Sequence, residues 1–216
     1  MRIGLLAVAL AAAASLLACS HSSSGDRALS VSPAGSSPVP SPVSTTGAPS
    51  AEELKSAALS VSDMPTGWAA ATESDDDTVT GFCNRPVPDE GLSKAQAGFQ
   101  KSDLGPIAEE ALRGYASADA VSEVLKQIRD DASSCTSMID KGDQVHIAAL
   151  SFPTVGDATF AVQLSGEGAT FDEAFIQVGN VLVQVGEGGL DVDPDLAVRF
   201  ARRSVELVRA ASSSWR

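Results

Sequence analysis

Apolar residues recur along this chain in three rhythms, and each rhythm predicts a different element. The first is a continuous run, Ile3 to Ala14, built from Ile, Leu, Val and Ala with one glycine. It falls short of the ~20 residues a membrane-spanning helix needs. It has the length of a signal-peptide apolar core, with Arg2 as its positive flank. The second rhythm is helical. Val121, Val124, Leu125, Ile128, Ala132, Cys135 and Ile139 form one stripe, predicting a helix from Ala118 to about Ile139 capped by Ser117. A shorter helix is predicted over Ala51 to Ser60, where Ser50 and Glu53 have capping-box spacing. A last helix follows Asp193-Pro194-Asp195, with Leu196, Ala197, Phe200, Ala201, Leu207, Val208 and Ala211 on its apolar side. The third rhythm is alternation. Past Gly142 the period drops to two: Val145, Ile147 and Ala149, then Phe160, Val162 and Leu164, then Phe171 to Val178 and Val181 to Val185.

These segments are closed by turn chemistry. Asp63-Met64-Pro65-Thr66-Gly67-Trp68 stops the first helix, and a short strand should begin at Trp68. Gly179-Asn180 is a two-residue hairpin signal, and Gly186 to Gly189 is expected to end the last strand. Two further strands are expected near Ala95 to Lys101 and Ile107 to Ala116. The expected class is therefore α+β. An antiparallel sheet with a C-terminal four-strand meander is flanked by a long central helix, a C-terminal helix and a short N-terminal helix.

The apolar run at the start ends in Leu16-Leu17-Ala18-Cys19, which resembles the lipobox of bacterial lipoproteins. The leucine at the third position before the cysteine departs from the small-x-small pattern of ordinary secretory cleavage sites. The resemblance implies a signal peptide over residues 1–18 and a lipid on Cys19. The lipid would be a thioether-linked diacylglycerol, with an N-acyl chain such as palmitate on the new N-terminus. Two or three acyl chains, at about 0.8 kcal/mol per buried methylene, hold such a protein on the extracytoplasmic face of the cell membrane almost permanently.

Composition then divides the chain. Ser20 to Ser50 holds eleven Ser, five Pro, three Gly and two Thr, with no apolar periodicity. Residues 19–50 are therefore expected to be a disordered tether, and residues 51–216 one folded domain. The chain carries a net charge of −13, and only Asp26 among its acids lies before Ala51. Such a surface is repelled by phosphate backbones, so nucleic acid is excluded as a partner.

There are three cysteines. With Cys19 committed to lipid, Cys83 and Cys135 are left, and in an exported protein a disulfide between them is expected. Two reduced, buried thiols are the alternative.

Candidate chemistry is sparse. Asp75-Asp76-Asp77 lacks the spaced ligands and glycine of an EF-hand, and Asp191, Asp193 and Asp195 are better explained by helix capping than by a metal. His21 lies in the tether and His146 in a strand. No nucleophile elbow, phosphate loop or zinc spacing is present. No cofactor is expected, and the domain is read as non-catalytic, with acid-only hydrolysis the remaining catalytic alternative. Arg199, Arg202, Arg203 and Arg209 form the basic concentration, either a solvated helix face or a dock for an acidic partner.

The order of these features resembles a known family. A helix running into Asp63-Met64-Pro65-Thr66-Gly67-Trp68 is followed by Cys83, a helix ending in Cys135, the Val178-Gly179-Asn180-Val181 hairpin and a terminal helix. It is similar to the PknH-like extracellular sensor domains of mycobacterial kinases and related actinobacterial lipoproteins. The resemblance implies an antiparallel sheet flanked by helices, with a ligand cleft between them. The kinase sensor carries two disulfides, whereas this chain has cysteines for one. The expected ligand is a small molecule, a lipid or a glycan. The rival reading is a protein-interaction module of the cell envelope.

Overall fold

The structure is a computed structural model and describes residues 47–71, 82–85, 93–102, 105–140, 142–190 and 192–215. The expected signal segment, Cys19, the expected tether up to residue 46, the Asp75–Asp77 run and Asp191 lie outside the described residues.

Eight strands form one antiparallel sheet: β1 (Ala69–Ala70), β2 (Ser93–Gln100), β3 (Ile107–Gly114), β4 (Ser137–Asp140), β5 (Asp143–Ala149), β6 (Ala158–Gly166), β7 (Ala169–Val178) and β8 (Val181–Gly189). Their spatial order is β1-β2-β3-β8-β7-β6-β5-β4. The predicted meander is β5 to β8. It is extended on one side by β4 and on the other by the β1–β3 unit, which joins through β3 beside β8. The β7–β8 hairpin turns in two residues, and positive φ falls on Gly179 alone. The β6–β7 turn uses positive φ at both Glu167 and Gly168, as a type I′ turn requires.

Three helices pack on this sheet: α1 (Ala51–Ala57), α2 (Ala118–Ser134) and α3 (Pro194–Ser212). Helices α1 and α3 share one face, above a core of Leu54, Leu112, Ile176, Val183, Val205 and Val208. Helix α2 lies on the other face, over β5 to β8, with Val121, Leu125 and Ile128 against Phe175, Val162 and Leu182. Trp68 meets Phe200 edge-on beneath α3. The α1 capping box is present in both directions between Ser50 and Glu53. Just before it, Pro49 is buried, its carbonyl accepts the Ser93 hydroxyl, and it packs so close to Gly114 that no Cβ would fit there.

Three sequence expectations need correction. Helix α1 ends at Ala57 rather than Ser60, and Val61 is exposed. Helix α2 ends at Ser134, so Ile139 is not on its stripe but lies 63% exposed on β4. The Ser133 and Ser134 hydroxyls bond back to the Arg129 and Asp131 carbonyls, and Cys135 takes extended backbone under the pull of its bridge. Finally, Gly186 to Gly189 do not break β8. Residues 186–188 pair on both sides and Gly189 with β7 alone, and the Phe171 ring covers the open space above Gly186 and Gly188.

Candidate functional site

Register places polar side chains on the part of the α2-side face that α2 leaves uncovered. Glu109, Gly186 and Glu173 form one row across β3, β8 and β7. Strand spacing puts the two glutamate Cα atoms about 10 Å apart, with bare glycine backbone between them. The adjoining rows contribute Ala111 and Gln184, then Arg113. Arg113 Nη1 donates to Gln184 Oε1 at 2.7 Å, and Gln184 Nε2 donates to Glu173 Oε1. Phe171, over Gly188, closes one end. The four rows from Ile107 to Arg113 carry no serine, cysteine or histidine across β2, β3, β8, β7 and β6. Among the described residues these rows offer carboxyl and amide groups and an aromatic edge, with Arg113 buried behind them, and hold no nucleophile–base pair.

Electrostatics distinguish the two acids. Burial pushes Glu173 up to about 7, against the lowering effect of the Gln184 hydrogen bond, while Glu109 adds repulsion and Arg113 attraction. Burial also raises Glu109, although its residue surface is exposed. A carboxyl that keeps its proton near neutrality both donates and accepts hydrogen bonds. It is suited to recognition of hydroxyl, amide or ammonium groups.

The opposite face hides a second set of acids beneath α1 and α3. Glu110, 2% exposed, accepts the Leu59 amide at 2.7 Å and the Ser204 hydroxyl. Burial pushes it up to about 7, with those hydrogen bonds opposing and Asp63 adding to the rise. Glu187 and Asp172 stand opposite each other on β8 and β7, both buried. The alternation of β3 and β8 gives these inward positions to apolar residues elsewhere, so periodicity alone did not single the acids out.

The sequence-predicted sites fare differently. Cys83 and Cys135 form a disulfide with Cα atoms 6.0 Å apart, joining the turn Phe82–Asn84 to the end of α2. Phe82 stacks edge-on against Phe175, and Arg85 pairs with the buried Asp131 at 2.6 Å. Asp193 caps α3 by accepting the Asp195 amide, while Asp195 sits in the first turn. Among the described residues no three His, Cys, Asp or Glu side chains are grouped as metal ligands. His146 is exposed on β5 opposite Ser137 and Ser165. The basic face is largely engaged within the molecule: Arg199 with Asp193, Arg203 with Asp63 and Glu206, Arg209 with Asp157. Arg202 is exposed beside them.

No family model matches the chain, and no curated protein matches it significantly. Among solved structures, it is similar to the extracellular domain of PknH from Mycobacterium tuberculosis. The superposition has a TM-score of 0.51 at 14% identity and covers 77% of this chain and 98% of that domain. The fold is PknH-like. At that identity the likeness is one of architecture, and the PknH-like arrangement accounts for nearly the whole of the shorter domain. Among the described residues no helix is long and apolar enough to cross a membrane.

Proposed function

We propose that this protein is a lipid-anchored, extracytoplasmic lipoprotein of the cell envelope whose folded domain is a non-catalytic, sensor-like module. Its ligand, a small molecule, lipid or glycan, docks on the polar α2-side face. The observation that carries this reading is the Glu109–Gly186–Glu173 row, backed by Gln184 and Arg113, on a face bordered by α2. The PknH-like fold, the lipobox-like Leu16–Cys19 segment and the Ser/Pro-rich tether support the extracytoplasmic setting.

Two experiments test it. Native mass spectrometry of the protein extracted from membranes should show co-purifying mass, lost in an E109Q/E173Q variant that melts normally. An empty native protein with no melting shift across envelope lipids, glycans and metabolites would refute the binding role. Metabolic labelling with an alkyne fatty acid should mark the wild type and not Cys19→Ala. The two carboxyls are also where acid-only hydrolysis would reside, so turnover in a glycoside and ester screen would replace the non-catalytic reading. The ion pairs made by Arg199, Arg203 and Arg209 weigh against the rival protein-docking role for that helix face.

A further inference from the structure

The row Ala108–Glu187–Asp172–Gln163 crosses β3, β8, β7 and β6 beneath the start of α3. Glu187 is 1% exposed and Asp172 3%. Directly opposed side chains in such a row have Cβ atoms about 4.5–5.5 Å apart. Their bonding is unequal. Asp172 Oδ1 accepts Gln163 Nε2 at 2.9 Å, and Glu187 Oε1 accepts the amide of Asp193, the N-cap of α3, at 3.3 Å. Glu187 Oε2 is buried without a partner. A carboxylate oxygen left so is costly. A proton on it supplies a donor that the neighbouring carboxylate can accept.

We propose that the Glu187–Asp172 pair is a protonation latch for the first turn of α3. The turn stays docked while the pair holds one proton and lifts when that proton leaves. Among the described residues the charged groups facing Glu187 are Asp172 from β7, Asp193 at the N-cap of α3 and Arg199 within it; β3 contributes Ala108 and β6 Gln163. Arg199 is half exposed and already bound to Asp193, so it offsets little of the charge. Burial foremost, then the charges of Asp193 and Asp172, push Glu187 up to about 7, so release falls near neutrality. The chain provides a pivot. Gly189 ends β8 at φ +151, and Leu190 beyond it is 71% exposed. Phe200, buried against Trp68, keeps the rest of the helix seated. This device is independent of what binds the opposite face.

Amide exchange in the folded full-length protein, corrected for intrinsic rates, tests the latch between pH 5 and 8. Opening of Leu196 to Val198 should rise on the order of tenfold or more in the wild type as the proton is lost. It should stay flat in Glu187→Gln, which is permanently neutral. Asp172→Asn removes the neighbouring charge and should move the midpoint to lower pH. That variant serves alone if Glu187→Gln fails to fold. A flat wild-type profile overturns the latch. So does unchanged pH dependence in Glu187→Gln or an unmoved midpoint in Asp172→Asn. Glu110 also loosens the whole fold in this window, so the comparison is between variants: an effect of Glu187→Gln shared equally by Phe175 and Ile176 in the core would mean global loosening and would also overturn the latch.

Discussion

Removing the bridge between Cys83 and Cys135 should lower stability by an amount that the structure lets one divide into two parts. The bridge closes a sequence separation of 52 residues. On the chain-entropy model that restriction of the unfolded state is worth about 4 kcal/mol. For a domain of this size each kcal/mol moves the midpoint by about 2–4 °C, so C83A/C135A should melt roughly 8–16 °C below the wild type. The second part is local. Cys83 has φ 55°, a left-handed conformation that costs a side-chain-bearing residue about 1–2 kcal/mol and glycine almost nothing. C83G/C135A should therefore recover about 1 kcal/mol relative to C83A/C135A. Phe82 against Phe175 and Arg85 on Asp131 still hold the turn once the bridge is gone, so the variants should remain folded at low temperature. Circular dichroism melts of both variants, and of the wild type under reductant, provide the comparison. A loss below about 3 °C in C83A/C135A would refute the loop-closure argument, and equal melts for the two variants would refute the backbone part.

Three further outcomes follow from the packing and charge. Glu110 keeps its proton in the fold to about pH 7, whereas an unfolded glutamate releases it near 4.5. Stability should accordingly fall as pH rises through that window, by at most about 1.4 kcal/mol per unit, and Glu110→Gln should flatten the curve in urea titrations at pH 5, 6 and 7. Gly188→Ala forces the Phe171 ring aside and should cost about 1–3 kcal/mol; in a cycle with Phe171→Ala the two losses should prove non-additive, and simple additivity would show the ring is not the obstacle. Ser50→Ala removes the hydroxyl half of the α1 capping box, leaving the residue-50 amide on Glu53, and should cost about 1 kcal/mol by the same melts, with no change in the melting temperature counting against the cap.

The helices and the meander were legible because local chemistry and burial agree there. Ser50, Ser117 and Asp193 cap where their spacing says, and Val121 to Ile128 bury the stripe they spell. The end of α2 was not legible, since Cys135 and Ile139 continue the helical spacing. A bridge and strand pairing, both long-range, decide against it. Gly186 to Gly189 misled for the same reason. The missing side chains of Gly186 and Gly188 are filled from β7 by Phe171, a neighbour that only strand pairing supplies. The polar face was hidden more deeply. Glu109, Arg113, Glu173 and Gln184 lie on three strands, and only register brings them into neighbouring rows. Ala108-x-Glu110-x-Leu112 did carry a faint signal, an acid occupying an inward position, which acquires meaning only once Ser204 and Leu59 are seen to meet it.

The buried Pro49 marks one end of the sheet. That proline is wedged between Ser93 and Gly114, so one end of β3 is fixed to the segment just before α1. Gly114 and Ile107 are opposite ends of β3, some 20 Å apart at about 3.3 Å per residue. Gly188 pairs with Ile107, so Glu187 and the start of α3 stand at the end remote from that proline. The acidic seam and the Phe171 end of the polar face thus lie a full strand length from Pro49.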